Sequence, residues 1–219
     1  IERRRLAAAG RPGDQEDAVR QRNHQLELVD MVVGQTGAFE GNDAFLPVED
    51  ALIEPLIEER GVPKGQRPLA ARIAAGSVAR AMTFDLAEFQ LRRKPWLDYL
   101  EAAAQAARDS AESLDWKMLF EATRALSEKR EEFEANLATG YTLLRDLMEV
   151  LEKGAAAEVV HVDLLGRLKV WAPKLGFAGV EKLKNGLDQA YRLQTRNVNQ
   201  QLGLETLVLD VMTPPSGRP

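Results

Sequence analysis

After residue 46, apolar residues recur every three or four positions along most of the chain, which is the spacing of an amphipathic helix. Between residues 46 and 90 they form three short runs. Gly61 and Pro63 end the first run, the second covers residues 69–75, and Ser77 begins a third that extends to Leu86. This pattern predicts a small group of three short helices.

Beyond residue 90 the apolar stripes are longer and predict a bundle of longer helices. Pro95 suits a first helical turn and disfavours helix in the residue before it, so we expect a helix boundary and a domain junction near residues 91–94. A polar run at residues 127–130 predicts a break between two further helices. Asp163 is placed to cap a helix that Gly176 ends.

Two tryptophans, Trp116 and Trp171, lie on these apolar stripes. Large aromatic side chains at such positions are typical of a buried core. We therefore expect both indole rings to be anchors of the bundle core.

The motif RNVN at residues 196–199 separates the last two helical stripes. Arg196 suits the last turn of a helix, where a cation interacts well with the exposed carbonyl groups, and Asn197 tolerates the left-handed conformation that ends many helices. Asn199 can accept a hydrogen bond from the first free amides of the next helix, a cap worth about 1 kcal/mol. The motif predicts a corner between two helices.

The helix predicted after this corner is apolar on more than one face. A helix of this kind needs cover on several sides, and a neighbouring subunit can supply it. Leu204, Val208 and Val211 form one stripe, which we expect to face the core. The residues expected to point outward lie off that stripe: Leu202, Leu209 and Met212.

The two ends of the chain differ from the helical part. Residues 1–45 are polar, with three consecutive arginines at residues 3–5 and one weakly apolar helix predicted over residues 14–33. The proline-rich residues 214–219 are predicted to be disordered. Because the first residue is Ile1, we expect a piece of a longer protein. The predicted division is a leader or insertion of unknown role (1–45), a small helical domain (46–90), a helical-bundle domain (91–213) and a tail (214–219).

The composition excludes several classes of function. The chain has no cysteine, which removes disulfides, thiolate zinc sites and cysteine nucleophiles and fits a cytoplasmic protein. No apolar run is long enough to cross a membrane. The net charge is -5 and the charges are scattered, so DNA contact is expected to be local or indirect. His24 and His161 have no spacing typical of metal ligands, and we expect them to be solvent-facing or capping. No metal, cofactor or catalytic residue is predicted.

Three stretches resemble the C-terminal collar domain of delta-prime subunits of the bacterial DNA polymerase III clamp loader. They are LLRDLM at residues 143–148, VDLLGRL at residues 162–168 and RNVNQQLGLETLVLDV at residues 196–211. Family members usually have proline where this chain has Gln200. Proline suits a first helical position but is not required there, so we expect Gln200 to begin the last helix.

A second resemblance lies upstream. ALIEPLIEERGV at residues 51–62 and LAARIAAGSVARAM at residues 69–82 are similar to the small helical lid domain of AAA+ clamp-loader ATPases, with Gly76, Ser77, Arg80 and Ala81 on the motif of the last lid helix. ATP-binding relatives use an arginine near this place to sense nucleotide. Delta-prime subunits commonly do not hydrolyse ATP, which favours an ordinary helix arginine at position 80.

The two resemblances together imply an all-α fold, a lid domain followed by a collar bundle, and a structural role in DNA replication. The collar would hold this subunit to the gamma-type and delta subunits of the loader, a part of the DNA polymerase holoenzyme. The implied contacts are Arg196, Asn197, Asn199, Leu202, Leu209 and Met212. The chain contains no G-x-x-x-x-G-K-[ST] phosphate loop, so we expect no ATP turnover.

Two other interpretations remain open at the level of sequence. The chain could be a free-standing helical adaptor or regulator, which would be indifferent to clamp-loader subunits. It could also be a fragment of another ATPase motor, including the lid and collar part of a gamma-type clamp-loader subunit, which a phosphate loop and nucleotide-sensing residues encoded upstream would indicate.

Overall fold

The computed structural model describes residues 50–107, 114–194, 196 and 198–212, all of which belong to one compact unit. Over these ranges the structure contains eight α-helices, several short 3₁₀ turns and no β-strand, which confirms the all-α prediction. The helices are α1 (Asp50–Glu59), α2 (Arg67–Ala74), α3 (Val78–Thr83), α4 (Leu86–Ala106), α5 (Trp116–Ser127), α6 (Phe133–Lys153), α7 (Leu165–Leu193) and α8 (Gln200–Met212). The predictions for residues 1–45 and 214–219, including the helix over residues 14–33 and the position of His24, lie outside the described residues.

Helices α1–α3 surround a core of small and branched side chains that we call the small cluster: Ile53, Ile57, Ala70, Ala71, Ala74 and Ala81. Helix α1 ends as predicted, because Gly61 has a φ of 75° and its amide donates to the Glu58 carbonyl oxygen at 2.8 Å. Helix α3 is shorter than predicted. It ends at Thr83, since Phe84 is extended and Asp85 caps the following helix by accepting a hydrogen bond from the Glu88 amide at 2.9 Å.

Helix α4 continues through Pro95, so the helix boundary predicted at residues 91–94 is wrong. A proline inside a helix removes the hydrogen bond to the carbonyl four residues earlier, which here belongs to Leu91. Leu91 is 72% exposed, so water can solvate this side of the helix. Burial of Arg93 and Trp96 on the two sides of Pro95 holds α4 in place.

What changes along α4 is the core against which the helix packs. Leu86 packs against the small cluster, whereas Trp96 belongs to a second and larger group of buried side chains that we call the bundle core. The continuous helix α4 crosses residue 90, where the sequence predicted a domain boundary. The division into two domains at this residue stays a prediction.

The bundle core lies among helices α4–α8. Trp171 is 1% exposed, as predicted for a core anchor, and its indole Nε1 donates to a carboxylate oxygen of Glu101 at 2.7 Å. Trp96 on α4 lies against Gly140 on α6 so closely that a Cβ atom at Gly140 would be 2.5 Å from the indole ring. A glycine is thus required for this approach of the two helices.

Predictions for three helix ends in the bundle have different outcomes. The break at residues 127–130 is confirmed, because α5 ends at Ser127 and α6 begins at Phe133. Gly176 interrupts α7 with a φ of 62° and a ψ of 174°, so the predicted end is present as a kink. The prediction that Asp163 caps a helix is wrong: α7 begins at Leu165, and the Asp163 carboxylate instead binds the Arg93 guanidinium. Asp163 lies within the 3₁₀ turn Val162–Leu164, two residues before α7, where its carboxylate reaches Arg93.

Candidate functional site

The corner before α8 has the predicted cap. The Asn199 side-chain oxygen accepts a hydrogen bond from the Leu202 amide at 3.1 Å, and the Asn199 carbonyl accepts one from the Gly203 amide at 3.1 Å. Gln200 is therefore the first residue of α8, as the resemblance implied. Arg196 is exposed, and its amide donates to the Leu193 carbonyl at 2.9 Å. Asn197 lies outside the described residues.

One face of α8 is buried in the bundle, and it is the predicted stripe extended by one residue: Leu204, Leu207, Val208 and Val211. The Tyr99 hydroxyl of α4 donates to the Leu204 carbonyl at 2.9 Å, with both groups buried. On α7, a Cβ atom at Gly186 would lie 1.9 Å from Leu207, so α7 and α8 are in close contact. Contacts with α4 and α7 thus fix the orientation of α8.

The exposed residues of α8 are two leucines and two polar residues: Leu202, Thr206, Leu209 and Asp210. Leu202 is 59% exposed and Leu209 is 41% exposed, which agrees with their predicted outward orientation. Thr206 lies between them, and its hydroxyl donates to the Leu202 carbonyl of the same helix. The hydroxyl proton is therefore not available to a partner that contacts this face of α8. Met212 differs from the prediction, because it is half-buried and packs against the bundle core. The end of α8 is therefore turned further inward than its spacing suggested.

Helix α5 lies beside α8 and presents two exposed aromatic side chains. Trp116 is 36% exposed and Phe120 is 45% exposed, and their ring centroids are 5.8 Å apart. The prediction that Trp116 anchors the core is wrong. The buried side of α5 is formed by smaller residues on the neighbouring stripe: Leu119, Ala122, Thr123 and Leu126.

Helices α5 and α8 run antiparallel. The Thr123 hydroxyl donates to the Glu205 carboxylate at 3.1 Å, and the last residues of α5 share a cavity with the first residues of α8. Trp116 is seven residues before Thr123 and Leu209 is four residues after Glu205, so a helical rise of about 1.5 Å per residue places both towards the same end of the helix pair. We call the exposed apolar set Trp116, Phe120, Val198, Leu202 and Leu209 the α5–α8 surface.

A polar cavity of about 410 Å³ opens at the other end of this surface. Val198 of the α5–α8 surface also lines the cavity. The Arg130 guanidinium donates to the Gln194 carbonyl at 3.1 Å, which ties the cavity wall to the end of α7. The lining residues come from α5, the turn after it, the corner and α8: Arg124, Ser127, Glu128, Arg130, Arg196, Val198, Asn199, Gln200 and Gln201.

Arg80 is placed apart from this group in the fold. It lies on α3, which packs against α1 and α2 in the small cluster, and its amide donates to the Ser77 hydroxyl at 3.2 Å. Arg196, Asn199, Leu202 and Leu209 all lie at the corner or on α8. Four of the six predicted interface residues are thus exposed at the corner or on α8, whereas Met212 packs inward and Asn197 lies outside the described residues. The nucleotide-sensing candidate Arg80 lies on a helix of the small cluster.

A buried Asp146–His161 pair has no counterpart among the sequence predictions. His161 is fully buried, so its predicted solvent-facing or capping role is wrong. The Asp146 carboxylate accepts hydrogen bonds from the Val160 amide at 3.0 Å, from the His161 amide at 2.8 Å and from the His161 ring Nδ1 at 2.8 Å. Burial alone would raise the pKa of Asp146, but the bonds from His161 and Val160 outweigh it and hold that pKa below its usual range.

Around this pair the connection between α6 and α7 is tied to α4. The Phe89 ring stacks on the His161 ring with centroids 5.8 Å apart, and the Arg93 guanidinium lies 5.5 Å from the Phe89 centroid. Arg93 also forms two hydrogen bonds with the Asp163 carboxylate, one of them at 2.9 Å. Arg93 Nε and His161 Nε2 are buried with no hydrogen-bond partner among the described residues. These contacts anchor the connection.

Within the described ranges there is no group of three or more histidine, cysteine, aspartate or glutamate residues placed to hold a metal ion. In the same ranges no helix is both long enough and apolar enough to span a membrane. Comparison of the chain with protein-family models, with curated proteins and with solved structures gave no match.

Proposed function

We propose that this chain is the non-catalytic, C-terminal part of a delta-prime-type clamp-loader subunit that acts in the cytoplasm during DNA replication. In this proposal the small cluster corresponds to the lid and the bundle to the collar. The bundle would hold the subunit to the gamma-type and delta subunits through the α5–α8 surface. DNA would be contacted only indirectly.

The observation that carries the proposal is the exposure of two leucines on α8. The RNVN corner and the helix after it are the most specific part of the resemblance. In that helix, Leu202 and Leu209 are exposed, whereas leucine side chains are usually buried. Trp116 and Phe120 are exposed on α5, which packs beside α8. Large exposed apolar side chains on adjoining helices are typical of protein contact sites.

The order of the elements also supports the proposal. A small cluster of three short helices precedes a bundle of longer helices, in the order in which the lid and collar resemblances occur along the chain. Many unrelated helical proteins have short helices before longer ones, so this order alone does not indicate a function. The exposed leucines of α8 remain the main support.

The test is association with clamp-loader partners from the same organism. The chain of 219 residues is mixed with the delta and gamma-type subunits, and the complex is measured by size-exclusion chromatography with light scattering. The wild-type chain should form a mixed complex. Leu202→Asp and Leu209→Asp should each weaken it about tenfold or more, because an aspartate in an apolar contact costs at least about 1.4 kcal/mol.

Val170→Asp is the matched control. Val170 is 53% exposed on α7 and lies outside the α5–α8 surface, so the same loss of an apolar side chain should leave assembly unchanged. Circular-dichroism melting checks that all three variants remain folded. If the wild-type chain fails to associate under conditions in which full-length subunits do, the chain is better explained as a free-standing helical adaptor.

A further inference from the structure

The cavity beside the RNVN corner has a charge opposite to that of the whole chain. Three of the residues that line it are arginines, Arg124, Arg130 and Arg196, and one is acidic, Glu128. The chain as a whole has a net charge of -5. The cavity is thus a local basic site on an acidic protein.

The basic groups are partly held in position. Arg130 is tied to the end of α7 through its bond to the Gln194 carbonyl. Gln200 and Gln201 belong to the first turn of α8, whose amides have no acceptor within their own helix. The start of a helix adds partial positive charge to the cavity that the arginines already define.

We infer that this cavity receives an acidic protein segment, one or two glutamate or aspartate side chains of a neighbouring subunit, when the α5–α8 surface is in contact with it. The inference rests on the proposed function. Guanidinium groups bind carboxylates with two parallel hydrogen bonds, and a volume of about 410 Å³ is at the small end of the range for binding pockets. Val198 lines both the cavity and the α5–α8 surface, so a partner seated on one reaches the other.

The surroundings of the cavity favour a short acidic segment over a nucleic acid. A nucleic-acid backbone needs a track of basic groups over several phosphates. Here Glu128 lies within the cavity, and Glu121 and Glu131 are exposed nearby on α5 and the turn after it. These carboxylates repel any anion beyond the three arginines, so the basic site is too short for a run of phosphates and matches one or two acidic side chains.

The binding test uses a blocked tetraglutamate peptide as the probe, with tetraglutamine as the neutral control. At low salt, tetraglutamate should shift the backbone amide NMR signals of residues 198–201, and tetraglutamine should not. Arg124→Gln and Arg196→Gln should each weaken peptide binding by about 1.5-fold to fivefold, the range expected for a solvent-exposed ion pair. Lys169→Gln, which removes one exposed cation from α7 outside the cavity, should have no effect.

Two further probes identify other ligands. Inorganic phosphate and a short single-stranded oligonucleotide are titrated under the same conditions. If either binds at residues 198–201 more tightly than tetraglutamate, the carboxylate assignment is wrong. Equal binding of tetraglutamate to the wild type and to a double Arg124→Gln and Arg196→Gln variant would also overturn it.

Assembly measurements separate this inference from the proposed function. In the first case, the wild-type chain and the double arginine variant assemble equally well with the delta and gamma-type subunits, and Leu202→Asp does not assemble. The inferred acidic contact is then wrong, and the clamp-loader role stands. If the wild-type chain does not assemble but binds tetraglutamate at the corner, the clamp-loader role is wrong and the cavity still has the inferred chemistry.

Discussion

Replacing Gly140 with alanine places a methyl group against the buried indole ring of Trp96. A Cβ atom at this position would lie 2.5 Å from Cζ2, 2.6 Å from Cη2 and 2.9 Å from Cε2 of Trp96. Carbon atoms in favourable contact are about 3.5–4.0 Å apart, so the indole ring or helix α6 must move by about 1 Å.

The indole ring of Trp96 is not free to move. It is 1% exposed, its Nε1 donates to the Asn136 carbonyl at 2.7 Å, and it packs edge-on against Tyr99 with centroids 5.3 Å apart. Overpacking of this kind costs about 1–3 kcal/mol, and a weakened Trp96–Asn136 hydrogen bond costs about 1 kcal/mol more. Alanine regains about 1 kcal/mol over glycine inside a helix. The expected net loss of unfolding free energy is about 1–3 kcal/mol.

Urea unfolding followed by circular dichroism measures this change, with Gly203→Ala as the matched control. Gly203 lies inside α8, and a Cβ atom there would meet no atom within 4 Å. The control gains the same helix propensity without the clash, so it should raise stability by up to about 1 kcal/mol. The two variants should therefore differ by about 1–4 kcal/mol.

A double variant tests the cause. If Trp96 is responsible, Gly140→Ala should cost less in a Trp96→Phe background, because the smaller ring leaves room for the methyl group. Equal stability of Gly140→Ala and Gly203→Ala would refute the argument, since it would mean that Trp96 does not pack against Gly140.

Two further predictions concern the cap and the buried pair. Asn199→Ala removes the cap of α8 and should lower the unfolding free energy by about 1 kcal/mol. Gln200→Pro, at the first position of α8, should be tolerated. If thermal melts show that Gln200→Pro is strongly destabilising, α8 begins elsewhere. The pKa of Asp146 is lowered by folding, so its ionised form stabilises the protein above its unfolded pKa of about 3.9, and this stability is lost as pH falls through the lower folded pKa. Asp146→Asn should be about 1–3 kcal/mol less stable at pH 7 and should lose less stability on acidification; identical pH profiles would contradict this.

Features set by neighbouring residues could be predicted from the sequence. The Asn199 cap, the helix end at Gly61 and the break after Ser127 each depend on a few adjacent side chains and on backbone conformation. The outward position of Leu202 followed from its offset from the buried stripe of α8. In each case the deciding interaction lies within about one helical turn of the residue.

Features set by distant residues could not be predicted in this way. The stripe of α5 contained both Trp116 and Leu119, and the positions of α4 and α8, which both pack against α5, determine which of them is buried. His161 is buried because Asp146, 15 residues earlier on another helix, binds its ring and its amide. Asp163 is drawn away from a capping position by Arg93, 70 residues earlier. No local pattern records such pairings.

The continuous helix α4 has a mechanical consequence. About 15 Å of helix separates Leu86, which packs against the small cluster, from Trp96 in the bundle core, and Pro95 removes one donor from the hydrogen-bond ladder of that segment. The bending stiffness of α4 is therefore lowest beside Pro95, and the Arg93–Asp163 ion pair braces the helix next to this compliant joint. A bend of about 10° there would displace Leu86 by about 2–3 Å, which the contact of α2 with the turn Val162–Leu164 would have to accommodate.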